Sequence, residues 1–343
     1  MKRLLVLFTG GTIASSMGLE GKAPKAERSA QLKHCLAEAF AHRPDVELVV
    51  REPWGIPGLD SSALAPRHWM EMTQVVAEEI ASGGLGGILA LHGTDTMAYT
   101  AAWMSLCFAD LPIPTVLTGS QLTLDYIPDD AMVNLRGAAQ ACCFGPAGVW
   151  VYFNWKLFPG DSAHKRHSTR PDAFVALGAN PVDFEPRWGL PEGVKGVNTR
   201  VARSMPARLN PLLKGGAARL ADVADEVGVV LVTPGCQPRL SGREKFLILL
   251  GYGAANAAPE VLAQVAKTYG DEKPQIIACS QAEEGLKEPD GYADVGLAGL
   301  KGAGFHVWSQ QSRTFEFVYA LCCHCLALGG DPTPILRRYL GQC

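Results

Sequence analysis

The chain has 343 residues, 48% hydrophobic and 19% charged, with a formal net charge of -3. This composition excludes a disordered chain and describes a globular one long enough to bury a sizeable core in two domains. Lys and Arg form no long run, which argues against a nucleic-acid partner, and no stretch nears the ~20 continuous apolar residues of a membrane span.

The first predicted element is the apolar run from Leu4 to Phe8, which stops at Thr9-Gly10-Gly11-Thr12. With Met1-Lys2-Arg3 before it, the start superficially looks like a signal peptide. The apolar run is short, lacks a small-residue cleavage site and flows into a glycine turn, so it reads as a strand. Ser15 to Arg28, rich in Gly, Ser, Lys and Ala, reads as a mobile loop long enough for a flap. A helix from Ser29 to about His42 follows, then a strand over Val46–Arg51 and a polar turn at Asp60-Ser61-Ser62. Pro66 opens a helix to about Ala81, Gly86 to Leu91 is the next strand, and His92-Gly93-Thr94-Asp95 leads into a helix from about Thr96 to Phe108. Pro114 to Leu117 is a short strand ending in Thr118-Gly119-Ser120-Gln121, Asp129 to Cys143 is helical, and Gly148 to Asn154 is a strand.

Strands alternating with helices predict an α/β fold: a larger N-terminal domain whose mainly parallel sheet is flanked by helices, and a smaller C-terminal α/β domain. Gly178 to about Ala217 has no clear period and reads as irregular edge structure passing into a linker. The expected boundaries are 1–190, a linker over 191–217, and 218–343. In the second domain Val227 to Thr233, Phe246 to Leu250 and Gln275 to Cys279 read as strands. Pro259 to Tyr269, Asp294 to Lys301 and Phe315 to Leu328 read as helices. The ten cysteines sit mostly in apolar patterns, as buried free thiols of a reducing compartment do. Cys322-Cys323-His324-Cys325 lacks a second ligand pair and lies in an apolar helical run, so packing is preferred over metal binding.

Four strand ends of the first domain carry hydroxyl or acidic groups: Thr9 to Thr12, Asp60 to Ser62, His92 to Thr96 and Thr118 to Gln121. The carboxyl ends of parallel strands share one edge, where open α/β sheets bind ligands. Other readings stand beside this one. Thr12 and Thr94 are also placed to cap the helices after them. Asp95 suits a first-turn acid, and Ala163-His164-Lys165-Arg166-His167 suits a solvated loop. A phosphate loop is disfavoured because no Gly-Lys-Ser/Thr ending follows the glycines.

Thr9-Gly10-Gly11-Thr12-Ile13-Ala14, paired with His92-Gly93-Thr94-Asp95-Thr96-Met97, resembles the bacterial L-asparaginase family, and specifically its cytoplasmic type I branch. Asp60-Ser61-Ser62, Leu117 to Gln121, Lys165 to Phe174, Tyr252-Gly253 with Asn256-Ala257, and Gly291-Tyr292-Ala293 extend the likeness along nearly the whole chain. The resemblance implies hydrolysis of the side-chain amide of L-asparagine to L-aspartate and ammonia, through an acyl-enzyme on a threonine. It makes Thr12 the nucleophile and matches Thr94, Asp95 and Lys165 to the family's second threonine, aspartate and lysine. Ser61 would take the substrate's α-carboxylate and Asp95 its α-ammonium, with Gly11, Asp60, Ser62, Gly93 and Ser120 around them. It implies no metal or organic cofactor, a cytoplasmic location, no membrane partner, and a homodimer or homotetramer. The physics agrees: a threonine hydroxyl needs a base, and a lysine oriented by an aspartate can serve.

Two departures from the family pattern are visible. Lys22 stands where the family's flap carries a tyrosine, and the first tyrosine of the chain is Tyr99. Near the C-terminus, Gln310 to Glu316 replaces a glutamate followed by a threonine-lysine pair, and Gln281 to Glu288 also matches poorly. Glutamine, a D-amino-acid amide or another small amide is the alternative substrate, and a low-turnover ligand-binding relative is the alternative class.

Overall fold

The computed structural model describes residues 1–10, 15–18, 21–24, 26–122, 129–185, 194–196, 200–283 and 290–342. The chain divides into two compact units, Met1–Lys214 and Gly215–Cys343.

The first unit contains strands β1 (Lys2–Phe8), β2 (Ser15–Gly18), β3 (Gly21–Pro24), β4 (Val46–Arg51), β5 (Gly87–Leu91), β6 (Pro114–Thr118), β7 (Gly148–Phe153), β8 (Lys156–Pro159), β9 (Ala163–Lys165), β10 (Phe174–Ala176) and β11 (Val182–Asp183). Its helices are α1 (Ala26–Ala39), α2 (Pro66–Ala81), α3 (Met97–Phe108) and α4 (Ala131–Phe144). The main sheet runs β11-β8-β7-β6-β5-β1-β4. Strands β4, β1, β5, β6 and β7 are mutually parallel, and β8 and β11 add antiparallel to one side.

Leu4 to Leu7, Ile88 to Ala90, and Val116 and Leu117 are wholly buried. Parallel strands covered on both faces read as such continuous apolar runs. Alternation along β1 divides its side chains between those faces: Leu4, Val6 and Phe8 pack in one cluster with Leu32 and Leu36 of α1 and Leu135, Ala138 and Cys142 of α4. Pro66 at the first turn of α2 has no amide hydrogen to leave unpaired there. Helix α3 is buried along its length except at half-buried Tyr99, as expected of a helix apolar all round. Trp69 of α2 stacks on Trp103 of α3 with ring centroids 5.5 Å apart.

Several short elements differ from the sequence expectation. The stretch read as a loop from Ser15 to Arg28 forms a β2–β3 ladder, with Ser15 opposite Pro24 and Gly18 opposite Gly21, and α1 begins at Ala26. The irregular stretch before 217 contains β11 and helix α5 (Asn210–Arg219), where Leu212 is buried. Strands β8 to β11 have four residues or fewer, too few to display a period.

The second unit has a parallel sheet of β12 (Val227–Leu231), β13 (Phe246–Gly251), β14 (Gln275–Ser280) and β15 (His306–Ser309), in that order. Helices α6 (Val223–Glu226), α7 (Pro259–Thr268), α8 (Ala298–Gly302), α9 (Phe315–Leu328) and α10 (Thr333–Leu340) accompany it. Its core gathers Leu247, Leu249, Val261, Val265, Ile276, Ala278 and Val307. In the divergent segment before α9, Gln310 Oε1 accepts from Ser280 N at 2.9 Å, and Thr314 caps α9 by accepting from Phe317 N at 3.1 Å. Part of the poorly matching segment, 284–289, lies outside the described residues. Cys322, Cys323 and Cys325 are buried free thiols of α9, and burial pushes the Cys325 thiol up to about 12. No described helix is long and apolar enough to cross a membrane.

Candidate active site

The carboxyl ends of β1, β5 and β6 lie side by side, and the turns that follow them are locked together by backbone. Gly10 has φ 105° and bridges Leu59, so close that a Cβ there would lie 2.5 Å from the Leu59 oxygen. Only glycine meets both conditions. This contact brings the 60–62 turn beside β1. Asp60 Oδ1 accepts from Ser62 N at 2.9 Å and Ser62 Oγ at 2.8 Å, which shapes the short 3-10 turn Ser61–Ala63. Ser61 is buried, and its carbonyl accepts from Thr96 Oγ1 at 2.8 Å, tying this turn to the one after β5.

The turns after β5 and β6 touch directly. His92 N donates to the Thr118 oxygen at 2.8 Å, and a Cβ on Gly119 would stand 2.2 Å from the His92 oxygen. The His92 ring is fully buried below them, and burial pushes its pKa down to about 4. Its Nδ1 lies 2.7 Å from the Gly93 oxygen and its Nε2 2.9 Å from Thr100 Oγ1. A carbonyl can only accept, so Nδ1 carries the hydrogen and Nε2 accepts from Thr100. Trp69 Nε1 in turn donates to Thr100 Oγ1 at 3.1 Å.

Thr94, Asp95 and Lys165 meet above this support. Lys165 ends β9, where its register partner across the ladder is Phe174 of β10. Its Nζ donates to Thr94 Oγ1 at 2.8 Å and to Asp95 Oδ1 at 2.6 Å. The lysine side chain is 15% exposed and the aspartate 64%, so the pair has a dry end and a wet end. Thr94 is buried and donates to Gln121 Oε1 at 3.1 Å. The N-cap of α3 is Thr96 rather than Thr94, so the hydroxyl of Thr94 is engaged by the cluster and not by capping.

The turn after β6 is held from below. Asp130 accepts from Gln121 N at 2.8 Å and Leu122 N at 2.9 Å, and burial raises its carboxyl pKa. Asn134 Nδ2 donates to the Gly119 oxygen at 3.0 Å. Ser120 is completely buried, and its Oγ has no hydrogen-bond partner among the described residues.

Of the residues singled out in the sequence, Thr94, Asp95 and Lys165 are in contact. Asp60, Ser61, Ser62, Gly93 and Ser120 stand in the turns at the same edge. Gly11 and Thr12 lie outside the described residues; of Lys22 the ladder position opposite Met17 is described. Sequence reasoning missed the roles of Gln121, Asp130 and Asn134. The one available signal was an acidic residue just ahead of a helical run that follows a Thr-Gly-Ser-Gln turn.

A family model described as asparaginase, N-terminal, matches residues 3–185. L-asparaginase 1 of Escherichia coli (strain K12) is 30% identical over 302 residues, which cover 85% of this chain and 83% of that protein. The chain belongs to the asparaginase family. The fold agrees with that membership: the thermostable L-asparaginase from Thermococcus kodakarensis superposes with a TM-score of 0.74 at 28% identity, covering 99% of this chain and 98% of that one. The family reaches further, since one subunit of the glutamyl-tRNA(Gln) amidotransferase of Pyrococcus furiosus is 32% identical over 187 residues, 52% of this chain and 41% of that protein. This asparaginase-family chain is an amidohydrolase acting on amide C–N bonds.

Proposed function

We propose that the protein hydrolyses the side-chain amide of L-asparagine to L-aspartate and ammonia through an acyl-enzyme on a threonine. The observation that carries this reading is the Lys165 ammonium, 2.8 Å from Thr94 Oγ1 and 2.6 Å from Asp95 Oδ1. In its neutral form, that lysine takes the proton of a hydroxyl as the threonine oxygen attacks the amide carbon, and Asp95 orients it. The proton then leaves with the departing ammonia, and water releases the acyl group as a carboxylic acid. Backbone N–H groups of the two glycine turns suit the developing oxyanion, where one donor is typically worth ~3–4 kcal/mol.

Thr12 remains the proposed nucleophile, with Thr94, Asp95 and Lys165 serving it or the water that follows. Ser61 and Asp95 take the substrate's α-carboxylate and α-ammonium, and the buried Ser120 hydroxyl supplies a polar contact that a bound amide would satisfy. A cytoplasmic location and a homodimer or homotetramer complete the reading. The alternative substrate is another small amide such as glutamine or a D-amino-acid amide, since Lys22 stands where the family's flap carries a tyrosine.

Ammonia release from L-asparagine, D-asparagine and L-glutamine, compared as kcat/KM, decides between them. L-asparagine is expected to give the highest value. A higher value for glutamine reassigns the substrate, and calorimetric binding without turnover of any of the three contradicts the hydrolase reading.

A further inference from the structure

Gln121 is nearly buried and closes a ring of hydrogen bonds whose directions can be fixed from chemistry alone. Its Nε2 lies 2.8 Å from the His167 carbonyl oxygen, which can only accept. The carboxamide is thereby oriented with Oε1 toward Thr94. An amide oxygen also only accepts, so Thr94 gives its single hydroxyl proton to Gln121 at 3.1 Å. Lys165 Nζ, 2.8 Å from the same hydroxyl, meets a lone pair and donates. The donors therefore run from Lys165 to Thr94 to Gln121 to the His167 carbonyl, two residues beyond the lysine. The segment that supplies the lysine also orients the amide that orients the threonine.

We infer that Gln121 is a positioning residue of the reaction: its carboxamide, held by the His167 carbonyl, fixes the Thr94 oxygen beside Lys165 Nζ, where the hydroxyl proton turns to the lysine once the lysine is neutral. The inference rests on the proposed roles of Thr94 and Lys165. Asp130, which takes the Gln121 backbone N–H at 2.8 Å, keeps the side chain's root in place. Loss of the Oε1 acceptor leaves the Thr94 oxygen held by Lys165 alone, so the side chain is no longer fixed from both sides. A carboxylate in place of the amide stands within about 6 Å of Nζ. There it favours the charged form of the lysine and loses the donor to His167.

Three variants test this on the full chain with L-asparagine as substrate, each checked for folding by thermal unfolding. Gln121→Met is expected to lower kcat about tenfold with KM within about threefold, the pattern of a lost interaction that matters in the transition state. Gln121→Glu is expected to move the acid limb of the kcat/KM profile to higher pH by about one unit, because its charge acts on the lysine that must be neutral to take the proton. Should Gln121→Met not fold, Gln121→Asn, one methylene short of the Thr94 hydroxyl, carries the same kcat expectation. A parental kcat in the first variant overturns the inference, and an unmoved acid limb in the second removes the neutral-lysine reading on which it rests. Lys165→Met separates the two claims. A parental rate there removes the Thr94–Lys165 reading itself, whereas an inactive Lys165→Met beside parental Gln121 variants removes only the role of Gln121.

Discussion

Lys165 belongs to a run, Ala163 to His167, whose neighbours Ser168 to Arg170 are exposed. A run of that kind is usually a solvated loop, and sequence could not separate the lysine from the rest. What separates it is β9, which fixes Lys165 against Phe174 and leaves its ammonium on Thr94 and Asp95. Gln121 was illegible for a related reason: its two amide ends are used by residues 27 and 46 positions away. Such partners follow from the strand order and leave no local pattern. His92 supplies a prediction at this scale. Its folded pKa, about 4, lies below the ordinary histidine value of 6.5, so the unfolded chain takes up a proton at higher pH than the folded one does. Stability from this residue is complete above pH 6.5 and is lost as the pH falls toward 4. The loss approaches about 3 kcal/mol for a fully buried ring. Urea unfolding at pH 7 and pH 5 should therefore show a larger acid loss for the parent than for His92→Gln. Equal losses would show that the ring is not held neutral by burial.

At the scale of elements, legibility followed length and burial. Strands β1, β5 and β6 and helix α2 were visible because apolar runs of strand length end in glycine turns and because Pro66 marks a helix start. Strand β15 and helix α10 went unread: the first has four residues, and the second buries only Leu336 and Leu340. The β2–β3 ladder was hidden by a composition that suits loops equally well. The turn after β6 depends on an anchor that no motif announces, Asp130. Removing it in Asp130→Ala strands the Gln121 and Leu122 N–H groups in a buried turn, a loss of about 2–4 kcal/mol. Asp130→Asn, which keeps an acceptor, should lose less. Chemical denaturation of both variants checks the order, and parental stability in Asp130→Ala would contradict the anchoring role.

Across the whole molecule, the family match spans residues 3–185, and every candidate site residue lies within Met1–Lys214. The candidate residues thus fall in one unit, and the described ones gather at one sheet edge, where backbone contacts at Gly10 and Gly119 bring separate turns together. The paired threonine motifs made that edge legible in the sequence, since parallel strands send their carboxyl ends the same way. The central claim is that Thr94 and Lys165 carry the reaction together. Steady-state ammonia release from L-asparagine by the parent, Thr94→Ala and Lys165→Met, compared at equal folded concentration, tests it most directly. Turnover by the parent is expected, with a fall in kcat of ~100-fold or more in both variants. An active parent with either variant at the parental rate would contradict it.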